Sequence, residues 1–152
     1  MKVFIVGAGK IGRGFLAHLF SRSGWSVTFV DRSAELVAEL RRRGAYTIHL
    51  AGSEGVAERF TVSGYTALEA SQKAEVAAAV LEADLVAVAV QPPDLAGAAE
   101  LLVPGLRRRL SARPEALNLI LCANLPGAAS TLRDRLEAVS YTHLTLPTNR
   151  EV

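Results

Sequence analysis

Three glycines in the first dozen residues constrain the fold of this 152-residue chain more than any other feature. The sequence GAGKIG at residues 7–12 follows a short apolar run, residues 3–6, and precedes a segment whose apolar residues recur at helical spacing. A strand, a glycine turn and a helix in this order form the context that the G-x-G-x-x-G fingerprint of dinucleotide-binding domains requires. We therefore predict a βα unit that binds a dinucleotide.

Each glycine of this loop has its own physical role. Gly7 permits the tight strand-to-helix turn, Gly9 leaves space for a pyrophosphate at the backbone, and Gly12 lets the helix pack closely on the strand. The helix N-terminus then offers N–H groups and a positive dipole end to the phosphates. The alternative is a glycine turn without a ligand. The predicted cofactor-binding residues here are Val6, Gly7, Ala8, Gly9, Lys10, Ile11 and Gly12.

An acidic residue follows the second predicted strand, residues 25–30. Asp31 stands nineteen residues beyond Gly12, where a carboxylate accepts hydrogen bonds from the adenosine ribose and repels a 2′-phosphate. This predicts NAD rather than NADP as the cofactor, although Asp31 could also be an ordinary turn aspartate. Arg32 is a second predicted cofactor contact, and its guanidinium could instead bind a 2′-phosphate or stack on adenine.

Strand and helix patterns alternate along the chain and predict its fold class. Helical spacing is expected at residues 10–23, 34–43, 72–83, 95–110 and 128–139, with Pro104 breaking or kinking the fourth helix. Further strands are expected at residues 84–90 and 117–122. Two β-prone runs, 46–50 and 59–62, predict an inserted β-hairpin near residues 45–62. The fold is therefore predicted to be α/β, a doubly wound, mostly parallel Rossmann sheet with helices on both faces.

The carboxyl ends of the two later strands form a third candidate region. Ligands bind at the carboxyl ends of strands in doubly wound sheets, so both ends should flank the nicotinamide half of the cofactor. Val90, Gln91 and Pro92 are therefore predicted cofactor contacts. Asn124 is a candidate donor to a substrate oxygen or to the nicotinamide ribose, and its alternative is a turn asparagine.

Composition narrows the class of protein. The formal charge is only +2 and 6% of residues are aromatic, which disfavours a nucleic-acid-binding surface. The arginine runs at 41–43 and 107–109 are interpreted as solvated helix faces. No apolar stretch reaches the ~20 residues of a membrane span, no signal peptide is recognised, and the single cysteine excludes an internal disulfide. We expect a cytoplasmic protein without membrane or nucleic-acid partners and, since the three histidines are isolated, without a metal site.

Longer stretches resemble one known family. GAGKIGRGF at residues 7–15 closely resembles the GAGNIGRGF segment of the mannitol, or polyol, dehydrogenase family. The resemblance spans nearly all of residues 1–139 and includes TFVD at 28–31, YTIHL at 46–50, TVSG at 61–64, DLVAVAV at 84–90 and NLILCANLPGA at 118–128.

The resemblance implies an oxidoreductase that transfers hydride between NAD and a sugar alcohol or its phosphate, with mannitol 1-phosphate and fructose 6-phosphate as the expected pair. It also implies that Asn124 lies at the active-site edge and that a catalytic general acid/base lysine lies in a second, helical domain. None of the three lysines matches that role. We therefore expect residues 1–139 to be an NAD-binding domain and the C-terminal catalytic domain to be missing from this chain.

Three alternatives remain at this point. Lys10 replaces a common Asn and Ala123 replaces an acidic residue of the family pattern, so the chain could belong to a divergent subgroup. It could also be a ketopantoate-reductase-like dehydrogenase or an NAD(H)-sensing module without catalysis.

Residues 140–152, SYTHLTLPTNREV, resemble translated sequencing-adaptor read-through and are interpreted as a non-native or disordered tail, the alternative being a last strand.

Overall fold

A computed structural model describes residues 1–51, 57–113, 115–123 and 126–140. Strands and helices alternate in it except for three consecutive strands between the second and third helices, and a π-helical turn, Gly12–Leu16, and a 3₁₀ turn, Pro92–Asp94, precede two of the helices. The strands are β1 Lys2–Val6, β2 Ser26–Asp31, β3 Ala45–Ala51, β4 Ala57–Ser63, β5 Thr66–Glu69, β6 Leu85–Val88 and β7 Asn118–Leu121. The helices are α1 Ala17–Arg22, α2 Ala34–Arg43, α3 Lys73–Glu82, α4 Leu95–Ala112 and α5 Ala128–Ser140.

Five of the strands form one parallel sheet in the order β5-β2-β1-β6-β7. β1 is central and pairs with β2 on one side and with β6 on the other, so the carboxyl ends of these three strands are adjacent. β3 and β4 form a separate antiparallel pair, with Tyr46 opposite Val62. The predicted doubly wound sheet and the predicted hairpin are both confirmed.

The core lies on both faces of the sheet because β1 alternates between them. Phe4 and Val6 belong to a buried cluster with residues of α3, α4 and α5. Val3 and Ile5 belong to a second cluster with residues of α1, α2 and the hairpin. Burying both faces of a strand in this way is typical of parallel α/β sheets, and it confirms the predicted helices on both faces.

The hairpin is tied to the first helical segment. The Tyr46 hydroxyl donates a hydrogen bond of 2.9 Å to the backbone carbonyl of Arg13, which lies in the π-helical turn. Burial raises the pKa of the Tyr46 phenol, so this hydroxyl keeps its proton and stays a donor. Residues 52–56, between β3 and β4 in the sequence, lie outside the described residues.

Two features of the structure differ from the sequence prediction: one additional strand, and a helix that continues through a proline. β5 was not predicted, because only Thr66 of its four residues favours a strand, whereas Ala67, Leu68 and Glu69 do not. It is a strand because it pairs with β2 and buries Ala67 and Leu68. Pro104 was expected to break or kink the fourth helix, and it does not break it, since α4 continues through this residue. Pro104 is exposed, whereas Leu102 and Val103 before it are buried, so packing outweighs the lost hydrogen bond.

The arginine run 107–109 was predicted to be a solvated helix face, but one of its arginines is buried. Arg109 is buried, and its guanidinium donates hydrogen bonds of 2.8 Å to the carbonyls of Leu81 and Ala83. It thereby satisfies carbonyls at the end of α3 that have no helical partner. The tail predicted over residues 140–152 lies outside the described residues except for Ser140, the last residue of α5.

Helices α3 and α4 approach each other closely at Gly105. A Cβ atom built on Gly105 would lie 2.5 Å from Cβ of Val80 and 2.8 Å from the carbonyl oxygen of Ala77. Both distances are shorter than any normal contact, so this crossing requires a glycine on α4. Gly97, on the same helix, has no atom within 4 Å of the corresponding position.

We predict that Gly105→Ala lowers the free energy of unfolding by about 1–3 kcal/mol, because overpacking forces the two helices apart. Helix propensity alone would predict a gain of up to about 1 kcal/mol for the same change. Gly97→Ala is the matched control, and it should leave stability unchanged or raised. Urea denaturation measures both variants, and equal responses would contradict the close-contact explanation.

Candidate functional site

A cleft of about 780 Å³ opens at the carboxyl edge of the sheet. Such a volume suits a small-molecule or cofactor site. The sequence-predicted residues that line it are Val6, Gly7, Gly9, Lys10, Ile11, Asp31, Arg32, Val90, Gln91 and Pro92. Ala8 and Gly12, which were also predicted, are buried beneath this surface and shape the loop from below. Asn124 lies outside the described residues.

The backbone of residues 7–12 needs its glycines for different reasons. Gly7 adopts a φ of +97°, and a Cβ there would lie 2.4 Å from the carbonyl oxygen of Ala89. A Cβ on Gly12 would lie 2.0 Å from the carbonyl oxygen of Gly7. Gly9 differs, because no protein atom lies within 4 Å of its Cβ position. Gly7 and Gly12 therefore form the turn, whereas Gly9 leaves open space in the cleft.

The carboxylate of Asp31 connects this loop to the end of β2. One oxygen accepts a hydrogen bond of 2.8 Å from the N–H of Ala8, and the other accepts one of 2.9 Å from the N–H of Ser33. A carboxylate has about four acceptor positions, so these two bonds leave capacity for a ligand in the cleft. Asp31 thus faces the cleft and positions the glycine loop at the same time.

The charges of the cleft favour an anionic ligand. Among its lining residues, three are cationic and two are acidic: Lys10, Arg32 and Lys73 against Asp31 and Asp94. Arg32 and Asp94 form an ion pair with each other. Since the first N–H groups of a helix also lack intrahelical partners, the combination of a loop, a helix start and Lys10 is suited to binding phosphate.

The ends of β6 and β7 form the other side of the cleft. Val90, Gln91 and Pro92 line it as predicted, and Cys122 and Ala123 line it beside them. Burial raises the pKa of the Cys122 thiol, so the thiol is protonated at neutral pH and presents an uncharged surface. This side of the cleft is therefore less charged than the side that contains Asp31.

Several lining residues were missed by the sequence analysis. They come from the segment after β5 and from the first turns of α3 and α4: Ala70, Lys73, Asp94, Gly97, Ala98 and Leu101. The N–H of Ala70 donates to the carbonyl of Asp31 at 2.9 Å, which brings the start of α3 to the cleft. Finding Ala70 and Lys73 would have required predicting β5, whose sequence carries no strong strand signal, whereas the α4 residues are brought to the cleft by tertiary packing.

The described residues contain neither a metal-binding cluster nor a membrane-spanning helix. No group of three or more His, Cys, Asp or Glu side chains is placed there to hold a metal ion. No described helix combines the length and apolarity needed to cross a membrane.

Comparison with known proteins identifies the family. The family model described as the mannitol dehydrogenase Rossmann domain matches residues 1–147. The chain belongs to this family.

Within it, the chain is 39% identical over 142 residues to the mannitol-1-phosphate 5-dehydrogenase of Brevibacillus brevis, covering 91% of this chain and 34% of that protein. It is 40% identical over 137 residues to the enzyme of the same name from Exiguobacterium sibiricum, covering 90% and 35%. The chain thus spans about a third of the length of these relatives.

Solved structures agree with the fold. An octopine dehydrogenase structure with NADH and L-arginine superposes with a TM-score of 0.65 at 17% identity, over 90% of this chain and 32% of that chain. A second octopine dehydrogenase structure, with NADH and agmatine, gives the same TM-score at 18% identity. At this level of identity, the structural similarity shows only that the chain has a Rossmann fold.

The glycine geometry of this domain gives a prediction about stability. Gly12→Ala should lower the free energy of unfolding by about 1–3 kcal/mol, since its Cβ would collide with backbone rather than with a movable side chain. Gly9→Ala adds a methyl group to open space and should change stability by less than about 0.5 kcal/mol. Urea denaturation compares the two variants, and an equal loss in both would show that the loop is closed at Gly9.

Proposed function

We propose that this chain binds NAD in the cleft and is the cofactor-binding part of a dehydrogenase that acts on a sugar-alcohol phosphate. The observation that carries the proposal is the open space at Gly9 beside the loop-anchoring carboxylate of Asp31. The relatives named mannitol-1-phosphate 5-dehydrogenase support mannitol 1-phosphate and fructose 6-phosphate as the substrate pair. Cytoplasmic location stays a prediction.

The loop and the helix that follows it are suited to a pyrophosphate. The open space at Gly9 lets phosphate oxygens approach the backbone, and Lys10 adds a positive charge at the same edge. Backbone N–H groups at a helix start bind anions through hydrogen bonds and through the helix dipole. We therefore assign the pyrophosphate to residues 9–11.

The adenosine ribose belongs beside Asp31. The carboxylate is held by the N–H groups of Ala8 and Ser33, so its remaining lone pairs have a fixed direction when a ribose hydroxyl approaches. Its negative charge opposes a 2′-phosphate, which supports NAD over NADP. The opposite end, at Val90, Gln91 and Pro92, then receives the nicotinamide half.

A bound NAD would accept the hydride from the alcohol carbon, and a base must accept the hydroxyl proton. Neither cationic lysine of the cleft matches the general acid/base lysine that the family resemblance implies, because Lys10 lies in the glycine loop and Lys73 begins α3. Lys2 pairs with Glu82 away from the cleft. We propose that the proton-transferring lysine lies in the part of the relatives that this chain does not match. The family match favours this function over a ketopantoate-reductase-like enzyme or an NAD(H)-sensing module.

We predict that Asp31→Ala weakens NAD binding at least about tenfold, because hydrogen bonds to a charged group contribute about 1.5–3 kcal/mol. Binding of NADP should weaken less, so the preference for NAD over NADP should become smaller. Titration calorimetry measures both affinities. Asp134→Ala, which removes an exposed carboxylate on α5, is the matched control. Unchanged NAD affinity in Asp31→Ala would refute the role of this carboxylate.

We also predict that the purified 152-residue chain binds NAD but oxidises mannitol 1-phosphate at least about 100-fold more slowly than a full-length relative, since missing proton transfer costs about 10²–10⁴ in rate. Absorbance of NADH reports the rate, with the Brevibacillus brevis enzyme assayed in parallel. Comparable rates would show that this chain carries its own acid/base group.

A further inference from the structure

An ion pair spans the cleft between two segments that are distant in sequence. Arg32 immediately follows β2, and Asp94 ends the 3₁₀ turn after β6. β1 lies between β2 and β6 in the sheet, so the pair lies near the carboxyl end of β1, where the glycine loop begins. Both side chains line the cleft. The pair is therefore part of the cofactor site rather than an ordinary surface contact.

Asp94 stands at the start of α4, where an aspartate side chain usually caps the helix. It is the N-cap residue of α4, and an N-cap aspartate ordinarily accepts a hydrogen bond from the backbone N–H of the first turn. Its side chain makes no such bond and instead accepts one from the Arg32 guanidinium. Asp94 is also the less exposed partner, at 29% of its side chain against 77% for Arg32. The position of Asp94 is thus set by the helix, and Arg32 is the partner that reaches across.

Arg32 is adjacent to the residue proposed to hold the adenosine ribose. An arginine beside this sugar is the usual ligand of a 2′-phosphate, because its planar guanidinium donates two parallel hydrogen bonds to phosphate oxygens. Lys73, at the start of α3, lines the same cleft, and the neighbouring Ala70 hydrogen-bonds to the backbone of Asp31. Two cations that could bind a 2′-phosphate are therefore present, and Asp94 neutralises one of them.

We propose that Asp94 is a specificity-determining residue, which pairs with Arg32 and thereby disfavours a 2′-phosphorylated dinucleotide. The inference rests on the proposed function and extends it, because it assigns cofactor preference to two carboxylates from opposite sides of the cleft. Asp31 opposes the 2′-phosphate directly. Asp94 acts through Arg32, by occupying the guanidinium donors that a 2′-phosphate would otherwise engage.

The test is Asp94→Asn, which removes the charge and keeps a residue that is as favourable as Asp at an N-cap. NADH and NADPH affinities are measured by fluorescence titration of the 152-residue chain. We expect the affinity for NADPH relative to NADH to rise about three- to tenfold, in keeping with about 1 kcal/mol for freeing an exposed ion-pair partner. The gain should decrease at high salt, since it is electrostatic. An unchanged ratio would overturn the proposal.

Two further variants separate the role of Arg32 from a general effect of charge. In the Arg32→Gln background, Asp94→Asn should no longer raise the ratio, because no guanidinium is left to free. A full gain in that background would overturn the assignment to Arg32. Glu82→Gln is the matched control, because it removes an exposed carboxylate that pairs with Lys2 at the opposite edge of the sheet, and its ratio should equal that of the wild type.

The outcomes also distinguish this inference from the function on which it rests. If the wild-type chain binds neither NADH nor NADPH, the proposed function fails and the inference fails with it. If the wild type binds NADH and Asp94→Asn leaves the ratio unchanged, only the inference fails. Thermal unfolding of each variant confirms that a change in ratio comes from a folded chain.

Discussion

The carboxylate of Asp31 is the contact on which the geometry of the cleft depends. It accepts hydrogen bonds from the N–H groups of Ala8 and Ser33, so one side chain joins the glycine loop, the end of β2 and the start of α2. Charge-assisted hydrogen bonds of this kind are stronger than neutral ones. Because the loop is held from beneath, its outer surface stays free, and the open space at Gly9 follows from that arrangement.

The parts of the structure that are encoded locally could be predicted from the sequence. The glycine turn could be predicted, because the backbone sterically requires Gly7 and Gly12, while Gly9 leaves open space. The bounds of α2 could also be predicted from the sequence. At its start the Ser33 hydroxyl accepts a hydrogen bond from the N–H of Leu36, and at its end Gly44 adopts a φ of +65°. Both are short-range end signals that depend on few neighbours.

The parts that depend on distant partners could not be predicted. β5 is a strand only because β2 offers it an edge, so a segment with three helix-favouring residues takes the extended form. The same error concealed Lys73, which follows β5, from the predicted site. Asp94 was missed for a related reason, because its partner Arg32 is distant in sequence and only the folded sheet brings the two side chains together. Pro104 was judged by its missing N–H, although buried neighbours keep its helix intact.

The hydrogen bond from the Tyr46 hydroxyl to the carbonyl of Arg13 joins the inserted hairpin to the π-helical turn. A π-helical turn is wider than an α-helical one and is often found at functional positions. Here the inserted hairpin contacts that turn from outside the parallel sheet, just beyond the loop that faces the cleft. The hairpin is thus tied to the segment that follows the glycine loop, and a shift of its two strands would act on the backbone beside the cleft directly rather than through the parallel sheet.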